Sequence, residues 1–535
     1  MYKPFSGAEI LPIPDDVQAM YDWAASKGVK WPKIYYPVRF PPGYIGTIAI
    51  DAIGPNETVV SAPNDSLLTT KVAYNSELKS IFEAHPDLFS EDAPSYDDVV
   101  IGTFMIYEKA KGLSSSWGPF IAYQPKDPCN TQDWSSEELK ELQDEDLIYD
   151  SEKSLENHIN LWKQWKSVLE KYPEKFTAEM LDYKDFTWVI RLIGTRTFGK
   201  FAPYSTFFPV GELLNHDNVE TYYIYLSPEE KADASQRYSG IIDDEDHDTG
   251  MYEKNPTIEL GNEGLAVANF LVNGADNETI FEKIKEKCVD LDKDELEAYK
   301  KKRTYRPPNM DLTESSNKEI RQVTGPNESY EKGAEVYMSY GRNSNRQLLS
   351  VYGFSLKYNR FNYAAVKTSV KSMLENPDLA SEMEMEEFSA DILVQFKLKE
   401  KVLCNSLVGT LRKLWFKYGQ PIKGFFKPVV LDMELRILAH AQGILLGSLN
   451  NFPTTYEEDL ELLNKDLPLR KMFAVLYRSQ VKEIIRNQIE YLNAALRFVT
   501  EYSMTKDISS SVRAAVNDDE RIERALKDYI DEFRE

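Results

Sequence analysis

The feature that most restricts what this chain can fold into is a pair of motifs lying far apart in it. In the first, FFPVGELLNHDNVETYYIY, an apolar run meets the polar pair Asn215-His216 and passes into an aromatic, β-branched run that ends at Tyr225. In the second, GAEVYMSYGRNSNRQLLSVYGF from Gly333 to Phe354, an alternating strand places Val336, Met338 and Tyr340 on one face. Gly341 then turns the chain, Asn343 or Ser344 can cap a short helix carrying Leu348 and Leu349, and Gly353 can end it in the left-handed conformation. An Asn-His pair at a strand end is by itself an ordinary turn with satisfied side chains. The two motifs in this order bound the fold more tightly than either does alone.

The rest of the chain supplies more than one domain's worth of material, since single cores stop growing at roughly 250–300 residues and this chain has 535. After the Pro-rich IYYPVRFPPG, YIGTIAID reads as a strand, Gly54-Pro55-Asn56 as a turn and ETVVSAP as a second strand, together a β-hairpin. From 75 to 192 the periodicity is helical, with Phe186, Val189, Ile190 and Ile193 at i, i+3, i+4, i+7. Residues 228 to 325 contain the acidic run Asp243 to Asp248, a charged helical stretch and a break at Pro307, read as a solvated excursion or as a surface that recruits a basic substrate. From 367 to the end helices dominate, for example from Pro468 to Thr500.

The formal net charge of −24 excludes a nucleic-acid backbone or an anionic membrane as the main partner, because both are repelled over most of such a surface. It permits a basic protein substrate. Cys129, Cys288 and Cys404 are odd in number and widely spaced, which excludes a disulfide framework and a zinc ribbon and fits a reducing compartment. With no basic-then-apolar leader and no 18-residue uncharged stretch, the expected location is cytoplasmic or nuclear. A monomer and no bound metal are expected.

The motifs resemble the two halves of a SET-domain core of the Rubisco large-subunit methyltransferase-like branch. Three blocks carry the resemblance. Gly46, Ala49, Glu57, Val59 and Pro63 fit its first strand, turn and second strand, with Tyr44 standing where the family has a glycine. Within the helical stretch Glu108, Gly112, Ser115, Trp117 and Pro119 match a signature of the branch, Trp117 as packing. Arg196, Glu212, Asn215 and His216, then Tyr340 with Ser344-Asn345 and Tyr352-Gly353-Phe354, complete the match. The fold implied is α+β: a β-rich SET core (15–74 and 193–366) with a helical insertion at 75–192, the acidic insertion within the second part, and a C-terminal all-α domain at 367–535 that resembles the branch's substrate-binding domain.

The resemblance implies a protein methyltransferase using S-adenosyl-L-methionine, held by Tyr44, Ile45, Gly46, Arg196, Glu212, Asn215, His216 and Tyr340. Tyr340 would be the catalytic tyrosine, and Phe198, Tyr352 and Phe354 would line the substrate channel. Arg196 suits a carboxylate through its fork of donors, and Asn215 offers donors and acceptors. The partner implied is a protein with an exposed lysine. Phe198, two past Arg196, favours lysine over histidine, because a phenyl ring gives an imidazole's second nitrogen no hydrogen-bond partner; Gly211, where the histidine branch has Trp, points the same way. The alternatives are a histidine methyltransferase of the actin-modifying type and an inactive SET-like scaffold that binds a partner, the latter motivated by Tyr44 and the long insertion.

Overall fold

The computed structural model describes residues 1–93, 95–198, 205–227, 237–239, 318–369, 372–373, 393–415 and 430–534. These fall into two units: the described residues up to Phe361 joined by Pro468–Ala474, and Asn362–Leu467 with Val475–Glu535. The run Asp243 to Asp248, the charged stretch after it and Pro307 lie outside the described residues.

The first unit is built from several small sheets. Strand Ile34–Phe40 lies between Glu9–Ile10 and Tyr44–Ala49, all antiparallel. Strand Thr58–Pro63 belongs to another sheet, beside Glu319–Thr324, which in turn pairs with Thr221–Leu226. The expected hairpin of YIGTIAID with ETVVSAP is therefore corrected. Each of the two strands finds a better partner: Tyr44–Ala49 pairs back across the tight Pro41-Pro42-Gly43 turn, and Ala62 pairs with Ile320, both fully buried.

Helices cover the stretch between these sheets. Tyr96–Lys111 buries most of its length, and Tyr183–Arg196 buries the stripe Phe186, Val189, Ile190 and Ile193. Trp165, fully buried on the helix Glu145–Leu169, donates its indole N–H to Thr103 Oγ1 at 2.8 Å, so its polar atom is satisfied inside the core. The helix Tyr183–Arg196 matters for the site because its last residue is Arg196. The chain then forms strand Thr197–Phe198, held by Thr206–Phe207, which also pairs with Leu68–Thr69.

The second unit is helical, with Leu431–Asn450, Ile508–Val516, Glu520–Asp531 and the greater part of Leu469–Thr505. It also holds a two-stranded antiparallel ladder of Tyr363–Ser369 with Leu393–Lys399, which the reading of 367–535 as all helix did not include. Its signal is local: Phe396 and Leu398 are buried while Lys397 between them is exposed, a period of two. The unit's interior contains a charged group, Asp459, accepting from Arg478 Nε at 2.9 Å, Lys482 Nζ at 2.5 Å and Thr454 Oγ1 at 2.9 Å. Replacing Asp459 with Asn leaves two cations facing each other away from water. We expect the full chain to lose about 3–5 kcal/mol of stability in denaturant unfolding, and an unchanged midpoint would show that the aspartate does not neutralise the pair.

Candidate active site

Two residues from each motif make the crossing on which the site is built. Asn215–His216 runs parallel to Tyr337–Met338, with Asn215 opposite Tyr337 and His216 opposite Met338. The approach to Asn215 is a single turn, Gly211–Leu213, entered through Val210 at φ 68°. A Cβ on Gly211 would sit 2.9 Å from the Phe208 ring, so close packing demands glycine there whatever the substrate. After the crossing, the Tyr340 N–H donates to His216 Nδ1 at 3.0 Å, and the same nitrogen lies 3.2 Å from Met338 O. The Tyr340 ring stacks on His216 at 5.0 Å, and its hydroxyl donates to the Leu214 carbonyl at 3.1 Å.

The helix Asn345–Tyr352 brings in the other aromatic rings. Ser344 caps it by accepting from Gln347 N–H, and Gly353 ends it at φ 77°. Asn345, fully buried, donates to Leu356 O at 2.8 Å and accepts from Leu356 N–H at 3.1 Å, fixing the turn that follows. Tyr352 then lies 4.8 Å from Tyr340, and Phe354 lies 6.4 Å from Tyr340 and 6.3 Å from Phe473. Phe473 was not anticipated, since it sits far along the chain in Pro468–Ala474.

On the other side, Asn215 Nδ2 donates to Ile45 O at 3.0 Å and to Glu335 Oε1 at 2.9 Å. Glu335, 2% exposed, also accepts at Oε2 from the hydroxyls of Tyr44 and Tyr337, each at 2.8 Å. Gly46 makes this approach possible, because a Cβ there would stand 2.5 Å from Asn215 Nδ2 and 2.6 Å from Glu335 Oε1. Of the three first-strand residues expected to hold a cofactor, Ile45 and Gly46 thus meet Asn215 through backbone and space, while the Tyr44 hydroxyl turns to Glu335. The sequence reading missed Glu335; the signal was an acid between Ala334 and Val336 in an otherwise apolar strand, where a charge is out of place unless it is paired.

The third group is Arg196 with Glu212. The guanidinium is half-buried, burial pushes its pKa down, and its one hydrogen bond among the described residues is a long one, 3.5 Å, to Glu212 O. Glu212 is 6% exposed; its Oε1 accepts from Gln124 Nε2 at 2.8 Å and its Oε2 has no partner among the described residues. Burial raises the carboxyl pKa well above the usual range. Burial raises the pKa of both Tyr36 and Tyr340, and although the Arg196 charge works against it, both phenols stay protonated. Phe198 is 6% exposed and packs against Phe208 and Tyr223, at 5.6 and 5.8 Å. Gln124 and Tyr36 were not singled out from the sequence. Among the described residues no cluster of His, Cys, Asp and Glu is placed to hold a metal.

This arrangement can seat a zwitterion with its anion at Arg196, and it can hold a neutral phenol against a slim apolar chain. No protein-family model matches the sequence. Four curated relatives match over part of their length, and three of them are these. "Protein SET DOMAIN GROUP 40" of Arabidopsis thaliana is 25% identical over 166 residues, 30% of this chain and 32% of that protein. The chloroplastic Rubisco large-subunit N-methyltransferase of Nicotiana tabacum is 23% identical over 208 residues, 38% and 40% of the two chains. The chloroplastic fructose-bisphosphate aldolase-lysine N-methyltransferase of Arabidopsis thaliana is 24% identical over 222 residues, 41% and 43%. The chain thus spans about a third to two-fifths of the length of the curated relatives it matches. Among solved structures, the SET domain of LSMT bound to lysine and AdoHcy superposes with TM-score 0.53 at 16% identity, covering 91% of this chain and 94% of that one. Rubisco LSMT bound to sinefungin and monomethyllysine gives 0.52 at 16% identity, over the same shares. The fold is that of the Rubisco LSMT-like SET domains.

In this SET core burial raises the Glu212 pKa, with Gln124 the one side-chain donor to it among the described residues, so the folded state holds a proton that the unfolded chain releases. Its contribution to stability is complete below the unfolded carboxyl range and is lost as pH rises toward the folded pKa. The isosteric Glu212→Gln cannot ionise. Unfolding free energies of the two proteins should agree at pH 4 and diverge in favour of Gln as pH rises, by at most about 1.4 kcal/mol per pH unit. A constant difference across the series would mean that Glu212 does not carry the proton.

Proposed function

We propose that this chain is an S-adenosylmethionine-dependent protein methyltransferase acting on lysine side chains. The observation that carries the reading is the convergence of Arg196, Asn215, Glu212 and a protonated Tyr340 within one aromatic-walled region of the SET core. The residues present fit the cofactor. A half-buried guanidinium with one long hydrogen bond suits its carboxylate, and Asn215, whose amide hydrogens are both engaged, keeps Oδ1 as an acceptor for its ammonium. The Glu212 oxygen left without a partner is a further polar contact point in the same pocket. The bound cofactor supplies an activated methyl group on a sulfonium.

The chain's own residues then orient and dehydrate the acceptor. Tyr340 is held by stacking on His216 and by its bond to Leu214 O, so its hydroxyl is fixed in direction. Protonated, it acts as a positioning and electrostatic group and not as a base. Tyr352, whose phenol is pushed up to about 12 by burial, and Phe354 complete an aromatic wall that accepts the methylenes of a lysine and lowers the cost of its neutral amine. Phe198, packed among rings, supports lysine over histidine because it offers no hydrogen bond to an imidazole. The scaffold alternative loses its motive at Tyr44, whose hydroxyl is directed to Glu335. The reducing compartment inferred from the cysteines, cytoplasm or nucleus, is part of the proposal.

Tyr340→Phe keeps the ring and its stacking but removes the hydroxyl. It should lower turnover by at least about ten-fold, while affinity for S-adenosylmethionine in calorimetry stays within a few-fold; parent-rate turnover would remove Tyr340 from the catalytic role. Mass spectrometry of lysate peptides methylated by the purified protein should find the added mass on lysine, and modification of histidine would overturn the lysine assignment.

A further inference from the structure

We propose that Glu335, together with Tyr44, is the positioning element that fixes which face Asn215 offers to the cofactor. This rests on the cofactor reading above and goes beyond it, because Glu335 itself cannot reach a ligand: it is 2% exposed, behind Asn215.

The argument starts from what an Asn side chain leaves undecided. Its oxygen and nitrogen have nearly the same shape, so the amide can turn over unless its neighbours tell donor from acceptor. Here the neighbours of Nδ2 are a backbone carbonyl, Ile45 O at 3.0 Å, and a carboxyl oxygen, Glu335 Oε1 at 2.9 Å. Turned over, Oδ1 would face two acceptors in a region nearly closed to water, and both of its hydrogens would lose their partners. Ile45 alone engages one hydrogen; Glu335 engages the second and closes the choice.

Glu335 is held in that role from its other oxygen. Tyr44 and Tyr337 approach Oε2 from two different strands, each at 2.8 Å, and both are donors. Tyr44 is itself stacked on Phe40 at 5.4 Å, and Tyr337 packs against Tyr2 at 5.5 Å, so neither phenol is free to swing away. Every group within hydrogen-bond distance of the carboxyl therefore donates to it, and the absence of a side chain on Gly46 leaves the space that lets it touch Asn215. The residue at 44 is thus the far end of a chain that runs Tyr44, Glu335, Asn215, ligand.

The test is a double-mutant cycle read by calorimetry with S-adenosylmethionine and with S-adenosylhomocysteine on the full chain. Asn215→Ala and Glu335→Ala should each weaken binding by about ten-fold, and the double variant should be no weaker than Asn215→Ala alone, because Glu335 acts only through Asn215. Tyr44→Phe should give a smaller loss that also vanishes in the Asn215→Ala background. Losses that multiply in the double variant, or a Glu335→Ala protein that binds like the parent, overturn the proposal. If Glu335→Ala does not fold, Glu335→Gln takes its place in the cycle: its amide keeps the acceptor for Asn215 when the Tyr44 and Tyr337 hydroxyls turn to accept, so parent-like binding of Gln with a loss in Tyr44→Phe supports the proposal, and parent-like binding of both overturns it. A parent protein that binds neither compound overturns the cofactor reading and this proposal with it, whereas a parent that binds them and an additive cycle overturn this proposal alone.

Discussion

The site depends on one short parallel pairing, Asn215–His216 beside Tyr337–Met338. Two residues a side are too few for ladder hydrogen bonds to hold, and parallel pairing is the weaker kind. Side chains and irregular bonds reinforce it: His216 Nδ1 accepts from Tyr340 N–H, Thr221 Oγ1 accepts from Ser339 N–H at 3.0 Å, and Met338 O accepts from Asp217 N–H at 3.3 Å. Asn215 and Glu335 add a fourth tie on the far side of the same strands. Because both halves of the chain set the position of Tyr340, the length of sequence between them is nearly immaterial. Closing a longer loop costs only about 0.6 kcal/mol for each doubling, so a long acidic stretch can stand between the two motifs without disturbing the crossing.

Around that crossing the ionisable groups are arranged so that few of them carry charge. Glu212 is pushed toward its neutral form by burial, and the phenols of Tyr36 and Tyr340 remain protonated. Arg196 is the cation that remains, since a guanidinium stays charged even when burial lowers its pKa. Such a pocket presents one fixed positive charge in surroundings of low dielectric, where a carboxylate gains more than it would in water. Burial raises the pKa of both buried carboxyls, but the three donors around Glu335 work against that rise, whereas among the described residues Gln124 alone meets Glu212.

What could be read from the chain was the local part of this design. The helix caps and turns were legible because they are set within a few residues: an N-cap at Asn343 or Ser344, of which Ser344 serves, Gly353 as the left-handed stop, and the i, i+3, i+4, i+7 stripe from Phe186 to Ile193. The motif residues Arg196, Glu212, Asn215, His216, Tyr340, Tyr352 and Phe354 do converge in space. Strand partners were not legible, because a strand's sequence states that it wants a neighbour and not which one, as Tyr44–Ala49 and Thr58–Pro63 illustrate. Glu335 and Gln124 escaped for a related reason. A polar side chain inside an apolar element has meaning only through its partner, and those partners, Asn215 and Glu212, lie 120 and 88 residues away.

A protonated Tyr340 also constrains where a proton can go under the proposed chemistry. A lysine arrives in water as an ammonium, and only the neutral amine has a lone pair to attack with. Tyr340 cannot take the proton, because burial raises its pKa and its hydroxyl already donates to Leu214 O. Glu212 cannot serve easily either, since its own proton is held by the same desolvation. On that proposal the remaining route runs past Tyr352, Phe354 and Tyr340, whose ring centroids lie 4.8 to 6.4 Å apart: lining the path of the amine, they would strip water from it, and the amine would give up its proton to solvent on the way in. The aromatic residues would then stand in for a general base by removing water and not by accepting a proton.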